Sequence, residues 1–267
     1  MNAQNLINMN LSFNISLADT YHSSSQKVRV MTEDWFSHNM YCPVCGTAQL
    51  SHFEANRPVA DFYCAKCGAE YELKSMSRVK DGVGDRIVDG AYDTMISRIN
   101  AFNNPHFFFL TYYNYEVRNL IFIPNHFFVP EIIEKRKPLS DNARRAGWIG
   151  CNINLTLIPE YGKIFVVHNS NVIDSRKIIE MYSRVEGLKT ESLESRGWLV
   201  DIMQCLDKLE NEFTLNDVYA FTNYLQLKHP NNNNVQPKIR QQLQVLRDNG
   251  FLEFTSRGHY KKIGRYM

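Results

Sequence analysis

The pattern of apolar and polar positions divides the chain into two parts of different character. In the first part, apolar runs at residues 106–113, 119–124 and 163–168 are too short and too rich in Phe and Ile for anything but buried strands. Residues 59–64 and 70–74 predict two further strands, the second with alternating polar and apolar positions. The pattern therefore predicts a mixed α/β fold built around a central sheet.

Helices are predicted on either side of these strands. A serine-rich start at residues 23–26 leads into an amphipathic pattern that carries Trp35. Further elements are helices at residues 89–102 and 175–185 and a glycine-bearing loop at residues 75–88.

The second part has the pattern of a winged helix-turn-helix domain. Its first helix has an apolar face between Leu199 and Leu209, and residues 214–217 form a capping-box-like start for the second. Pro237 marks the start of a third helix, which is followed by a basic β-hairpin. With a boundary near residues 187–192, the pattern predicts domains of residues 1–190 and 191–267.

Composition limits the class of protein. The 267 residues are 44% hydrophobic, which is enough for a sizeable core. No apolar run reaches the roughly 18 residues of a membrane span. Residues 1–19 lack a basic region followed by a long apolar run, which favours a cytoplasmic protein.

Basic residues are concentrated in patches, although the net charge is only +2. Residues 236–267 contain seven Lys or Arg against two acidic residues, and a second cluster joins residues 135–137 to Arg144 and Arg145. Such patches favour contacts with nucleic acid, and an ordinary solvated surface is the alternative.

Two Cys-x-x-Cys pairs predict a structural zinc site. The pairs are separated by 18 residues, which fits four-cysteine zinc sites, and in a reducing compartment they favour metal over disulfides. Since four thiolates leave no coordination position open, Zn²⁺ is expected to stabilise the fold. The predicted ligands are Cys42, Cys45, Cys64 and Cys67, whereas Cys151 and Cys205 are expected to be buried apolar residues.

The same stretch carries the residue types of metal-dependent DNA cleavage. Side chains two apart in a strand share a face, so Glu72 and Lys74 are expected about 7 Å apart on one face. Mg²⁺ prefers oxygen ligands, so the carboxylates of Asp61 and Glu72 and the carbonyl of Leu73 form a suitable partial shell. Lys74 could hold the attacking water or stabilise charge on the phosphate.

Spacing alone leaves other assignments open. Glu70 shares the predicted face of Glu72, and Glu33 and Glu54 could each supply a further metal ligand. The same residues would also suit a solvent-facing strand edge with no catalytic role. In that case the zinc site and the winged helix would describe a DNA-binding transcriptional regulator without nuclease activity.

Several strings resemble the Dpn-type methyl-directed restriction endonucleases. They are residues 56–64 (NRPVADFYC), 72–74 (ELK), 143–152 (ARRAGWIGCN), 195–198 (SRGW) and 238–243 (KIRQQL), and the resemblance extends over residues 20–262. It implies a PD-(D/E)XK nuclease domain with a zinc site, followed by a winged helix. It also implies that Asp61, Glu72 and Lys74 are catalytic and that, with Mg²⁺, the protein cuts GATC sites whose adenine is N6-methylated.

Recognition of such a base requires apolar surface in the major groove, where the methyl group lies. Burial of one methyl contributes only about 1 kcal/mol, so inspection of both adenines of the site by two domains would sharpen discrimination. Trp148 is the candidate wall for the methyl group, with a core tryptophan as the alternative. The predicted DNA-binding residues are Arg144, Arg145 and Trp148 in the first domain, and Lys238, Arg240, Gln241, Gln244, Arg257, Lys261 and Lys262 in the second.

The sequence thus predicts an endonuclease whose partner is double-stranded, adenine-methylated DNA. The chain has one apparent cleavage centre, so both strands would be cut either by sequential visits or by a transient dimer on DNA; a monomer is expected.

Overall fold

A computed structural model describes residues 9–54, 60–190 and 192–264. Within them, short 3-10 helices span Ile15–Ala18, Asn125–Phe127, Pro130–Ile132, Leu155–Leu157 and Glu160–Gly162. In chain order the other elements are α1 Ser24–Asn39, β1 Ser51–His52, β2 Phe62–Tyr63, β3 Glu70–Ser77, β4 Arg86–Ala91, α2 Tyr92–Asn100, β5 His106–Tyr113, β6 Glu116–Ile123, β7 Ile133–Lys135, β8 Gly150–Asn154, β9 Ile164–His168, β10 Asn171–Val172, α3 Ser175–Glu186, α4 Leu193–Asp207, β11 Glu212–Thr214, α5 Leu215–Tyr219, α6 Thr222–Lys228, α7 Val235–Asp248, β12 Leu252–Ser256 and β13 His259–Lys262.

A mixed central sheet organises the first part of the chain, as predicted. Its strand order is β1-β2-β3-β5-β6-β9-β10. Among the strands that the structure describes in this sheet, only β3 and β5 form a parallel pair, because α2 lies in the connection between them; the other pairs are antiparallel. The apolar run of β5 is buried on both faces, which explains why it lacks an alternating pattern.

Aromatic side chains fill the space between this sheet and the helices that cover it. Phe36 of α1 packs edge-on against Phe108 of β5, with ring centroids 4.8 Å apart. On α3, Tyr182 packs against Phe122 of β6 at 5.6 Å. All four residues are almost completely buried, so α1 and α3 are held by the sheet's own side chains.

A second sheet of three strands, in the order β4-β8-β7, has no counterpart in the prediction. The predicted loop at residues 75–88 was wrong at both ends, because β3 continues to Ser77 and β4 begins at Arg86. The helix predicted over residues 89–102 was also too long. Residues 89–91 pair with β8, and the helix begins only at Tyr92.

The winged helix-turn-helix in the C-terminal part is confirmed, with one strand more than predicted. Thr214 and Asp217 form a complete capping box at the start of α5. The hairpin of β12 and β13 is joined by β11, which pairs with β13. Trp198 of α4 is fully buried and stacks on His229 at 3.9 Å, as expected of a core residue.

Buried polar contacts join α4 to the first part of the chain. Arg196 donates to the carbonyl of Phe128 at 3.2 Å, and Gln204 donates to the carbonyl of Leu157. Among the described residues, no helix has the length and apolar character that crossing a membrane requires.

Candidate functional site

The four predicted zinc ligands come together in the structure. Their sulfur atoms all lie within 4.8 Å of one another. Distances of 3.6 Å join Cys42 to Cys67 and Cys45 to Cys64. A tetrahedral zinc ion with Zn–S bonds of about 2.3 Å holds its sulfurs roughly 3.8 Å apart, so the cluster fits Zn²⁺.

The two ligand pairs are carried by matching turns. The amide of Gly46 donates to the carbonyl of Cys42, and that of Gly68 donates to the carbonyl of Cys64, both at 2.9 Å. The two glycines have φ angles of 73° and 74°, a region that favours glycine. The repeated sequence Cys-x-x-Cys-Gly thus gives two copies of one ligand turn.

Tyr71 connects the cysteine cluster to the central sheet. Its side chain is fully buried, and its hydroxyl lies 3.0 Å from the sulfur of Cys42. Its carbonyl accepts a 2.9 Å hydrogen bond from the amide of Asp61. Because Glu72 follows Tyr71 in β3, the cysteine cluster fixes the strand at the point where the predicted catalytic residues begin.

The structure brings Asp61, Glu72 and Lys74 together around Leu73. Asp61 lies directly before β2, and its carboxylate accepts a 2.8 Å hydrogen bond from the Leu73 amide. On β3, the ammonium of Lys74 lies 2.5 Å from a carboxylate oxygen of Glu72. One bend and one strand therefore place two acids and an amine at a single site.

Negative charge is concentrated at this site. Burial raises the pKa of Glu72 to about 7; the ammonium of Lys74 opposes this shift, and the carboxylates of Asp89 and Asp61 add to it. Burial alone would lower the pKa of Lys74, but the charges of Glu72 and Asp89 outweigh burial and raise it. A bound cation would offset the carboxylate repulsion that disfavours ionised Glu72.

Asp89 is a site residue that the sequence analysis missed. It lies on β4, its side chain is only 3% exposed, and its carboxylate is 2.6 Å from the ammonium of Lys74. The sequence of β4 does not indicate that Asp89 is buried, because the apolar side chain of Val88 is exposed while the charged side chain of Asp89 faces inward. Helical periodicity over residues 89–102 masked it.

The alternative carboxylates have other surroundings. Glu33 of α1 binds Arg29 at 2.6 Å and lies 3.5 Å from His52. Glu70 stands opposite Tyr63 in the β2–β3 pair, while Lys74 takes Glu72 as its partner on the strand. Glu54 is exposed. This geometry favours Glu72 over Glu70.

An open cleft of about 420 Å³ lies between α1 and the outer edge of β3. Its lining includes Arg29 and Glu33 from the helix, and Leu73 and Lys74 from the strand. Lys74 is therefore accessible from a surface that also offers a guanidinium group.

Trp148 lies in a loop that extends from β7 to β8. Its side chain is half-buried, and the guanidinium of Arg145 lies 5.0 Å from its ring centre. The loop is closed by a 2.9 Å hydrogen bond from the Leu139 amide to the Trp148 carbonyl. Arg144 and Arg145 are exposed. Trp148 is thus not a core tryptophan, and it lies beside the guanidinium of Arg145.

The recognition-helix candidates all lie on α7, and none of them is buried. Arg240, Gln241 and Gln244 are exposed, and Lys238 is half-buried. Arg240 donates to the hydroxyl of Tyr219 at 2.5 Å.

On the wing, Arg257 is exposed and Lys261 is half-buried, 3.6 Å from Glu212. Lys262 was wrongly counted among the phosphate contacts, because it is 7% exposed and its ammonium donates to the Leu209 carbonyl at 2.6 Å. Lys262 shares the inward face of its strand with Tyr260. Arg265, part of the same basic cluster, lies outside the described residues.

Comparison with protein families assigns both parts of the chain. Residues 9–191 match the DpnI model, described as the Dam-replacing family. The chain belongs to the Dam-replacing family. Residues 194–262 match the model described as the Dam-replacing HTH domain. Membership makes the protein a methylation-dependent restriction endonuclease of the DpnI type and makes DNA its partner. The cysteine cluster is a possible zinc site of this enzyme.

Proposed function

We propose that the protein cuts double-stranded DNA at GATC sites that contain N6-methyladenine and that it does so with Mg²⁺ in a PD-(D/E)XK-type site. The observation that carries the proposal is the convergence of Asp61, Glu72 and Lys74 on the segment around Leu73. Family membership supports DNA cleavage and dependence on methylation.

The donor atoms at the site suit Mg²⁺. The carboxylates of Asp61 and Glu72 and the carbonyl of Leu73 are hard oxygen ligands. An open cleft lined by Leu73 and Lys74 offers space for water and phosphate next to this segment. When bound there, Mg²⁺ would polarise the scissile phosphate and lower the pKa of a coordinated water. Burial is the main cause of the raised pKa of Glu72, and the carboxylates of Asp89 and Asp61 add to it, so a cation bound beside Glu72 would favour its ionised form.

The chain's own groups then have distinct roles. The Leu73 amide fixes the carboxylate of Asp61 at 2.8 Å, so Asp61 is oriented before DNA binds. Glu72 is held on the same face of β3 as Lys74. The ammonium of Lys74 orients the attacking water or stabilises the charge that develops on the phosphate.

Two surfaces would contact the DNA: the loop that contains Trp148, and α7 with the wing. Trp148 offers an aromatic face beside Arg145, so one loop can contact both the N6-methyl group and the adjacent phosphates. Exposed Gln241 and Gln244 on α7 can reach base edges, while Arg257 on the wing suits phosphate.

The test is incubation of one plasmid, prepared in adenine-methylated and unmethylated forms, with the purified protein and Mg²⁺. Fragments ending within GATC, obtained only from the methylated plasmid, are expected. Cutting of both forms would refute methyl dependence, and a gel shift with intact methylated DNA would instead favour a DNA-binding regulator without nuclease activity. Methylation of adenine at a different sequence in a parallel plasmid is the control for the GATC assignment.

A further inference from the structure

The ammonium of Lys74 lies between two carboxylates that belong to different sheets. Glu72, on the same strand, is 2.5 Å away, and Asp89, on β4 of the second sheet, is 2.6 Å away. At 3% exposure, the Asp89 carboxylate is the most buried of the three charged groups. A charge buried to this degree requires a partner, and Lys74 provides it.

The two carboxylates, those of Glu72 and Asp89, would bind different partners in the proposed site. In the proposed site Glu72 would supply an oxygen ligand to Mg²⁺, and the ion would then compete with Lys74 for the same carboxylate. The predicted magnesium ligands are Asp61, Glu72 and the Leu73 carbonyl, so Asp89 stays available to the ammonium. Asp89 can therefore keep Lys74 in place when Glu72 becomes engaged.

Local structure fixes where Asp89 points. It shares the inward face of β4 with Ile87, which is 1% exposed. A register shift follows in the pairing with β8, between Asp89 and Ala91. Such irregularities re-aim a strand and are frequent beside active sites. Since α2 begins at Tyr92, Asp89 is held between a strand pairing and a helix start.

We propose that Asp89 is a positioning residue that anchors the Lys74 ammonium for cleavage, a role that rests on the nuclease function proposed above. Asp89 is paired with Cys151 of β8, and the Tyr92 amide donates to the carbonyl of Ile149 at 3.1 Å. Both contacts are made within three residues after Trp148, to Ile149 and Cys151. The β7–β8 loop, which contains Trp148 and is proposed to contact the methyl group (the methyl-reading loop), therefore belongs to the same sheet as Asp89, the proposed anchor of Lys74.

The experiment compares the wild type with Asp89→Asn and Asp89→Ala in single-turnover cleavage of a methylated duplex. DNA affinity is measured separately with Ca²⁺ in place of Mg²⁺. Because a displacement of about 1 Å at a catalytic group can cost roughly 100-fold in rate, Asp89→Ala should lower the cleavage rate about 10- to 100-fold with little change in affinity. Asp89→Asn keeps an acceptor oxygen but loses the charge, so its cleavage rate should lie between those of the wild type and Asp89→Ala.

Val88→Ala is the matched control, because Val88 is the neighbouring residue of the same strand and is 56% exposed. Its rate should equal that of the wild type. A wild-type rate in Asp89→Ala, or a rate loss explained entirely by weaker DNA binding, would overturn the positioning role.

A second measurement separates this inference from the proposed function. Labelling of Lys74 by acetic anhydride, followed by mass spectrometry of protein without DNA, reports the ammonium's surroundings directly. Lys74 should be labelled several-fold faster in Asp89→Asn than in the wild type, and an unchanged rate would overturn the anchor. If the wild type fails to cut methylated DNA while this labelling difference is present, the proposed function fails and the anchoring contact stands.

Discussion

Removal of the Tyr71 hydroxyl tests whether the zinc cluster and the catalytic strand are physically joined. In Tyr71→Phe the ring remains in the core while the 3.0 Å contact with the sulfur of Cys42 is lost. With zinc bound this sulfur is a thiolate, and hydrogen bonds to charged groups contribute about 1.5–3 kcal/mol. At roughly 1.4 kcal/mol per factor of ten, zinc affinity should fall about 10- to 100-fold.

Tyr41→Phe is the matched control for this prediction. Tyr41 precedes Cys42 and is 3% exposed, but its hydroxyl has no hydrogen-bond partner in the described structure. Removal of an unsatisfied buried hydroxyl should leave zinc affinity unchanged and should not lower the free energy of unfolding.

Competition with a chromophoric chelator measures the zinc affinity of both variants. Cleavage at saturating zinc then shows whether the strand is still correctly placed. Equal zinc affinity for the wild type, Tyr71→Phe and Tyr41→Phe would refute the connection between Cys42 and β3. A loss in Tyr41→Phe as large as that in Tyr71→Phe would show that any substitution near the cluster has the same effect.

Three further predictions concern the zinc site, the methyl-reading loop and a buried histidine. Chelation of zinc should both unfold the region around the cysteine cluster, as followed by circular dichroism, and abolish plasmid cutting. Cleavage by fully zinc-free protein would exclude a structural role for the metal. Trp148→Ala should lower the ratio of the cleavage rates of methylated and unmethylated DNA about tenfold, since roughly 1 kcal/mol of methyl contact and the stacking of Arg145 are lost. An unaltered ratio would remove Trp148 from recognition of the methyl group. Burial, together with the nearby charges of Arg196 and Lys189, lowers the pKa of His126 to about 3. Because the pKa of His126 is lower in the folded protein than in the unfolded chain, the stability present above the unfolded-state pKa is lost as the pH falls. Between about pH 7.5 and pH 5.5, His126 should therefore lower the free energy of unfolding by roughly 1.4 kcal/mol. Urea unfolding should show a shallower pH dependence in His126→Phe but not in exposed His22→Phe, and identical slopes would contradict the assignment.

The parts of the site that depend on local sequence were predictable. The two Cys-x-x-Cys-Gly repeats each form one turn, so their spacing was enough to predict the cysteine cluster. Strand β3 alternates Glu72 and Lys74 on one face, so their proximity followed from the two-residue repeat. The capping box at Thr214 is equally local.

The parts that depend on pairing across long stretches of chain were not predictable. Asp89 joins the site because β4 pairs with β8, which lies some sixty residues further along the chain and is not marked by any periodicity. The extent of β3 and the start of α2 were misjudged for the same reason. The burial of Lys262 could have been foreseen, because alternation along β13 places it on the face of Tyr260.

Asp61 is placed to act at the chemical step, at a site assembled by β2, β3 and the cysteine cluster. The most direct test is single-turnover cleavage by Asp61→Ala, with binding of the same methylated duplex measured in Ca²⁺. Binding should persist while the cleavage rate falls by at least about 100-fold. Cleavage by this variant at the wild-type rate would remove Asp61 from the chemical step.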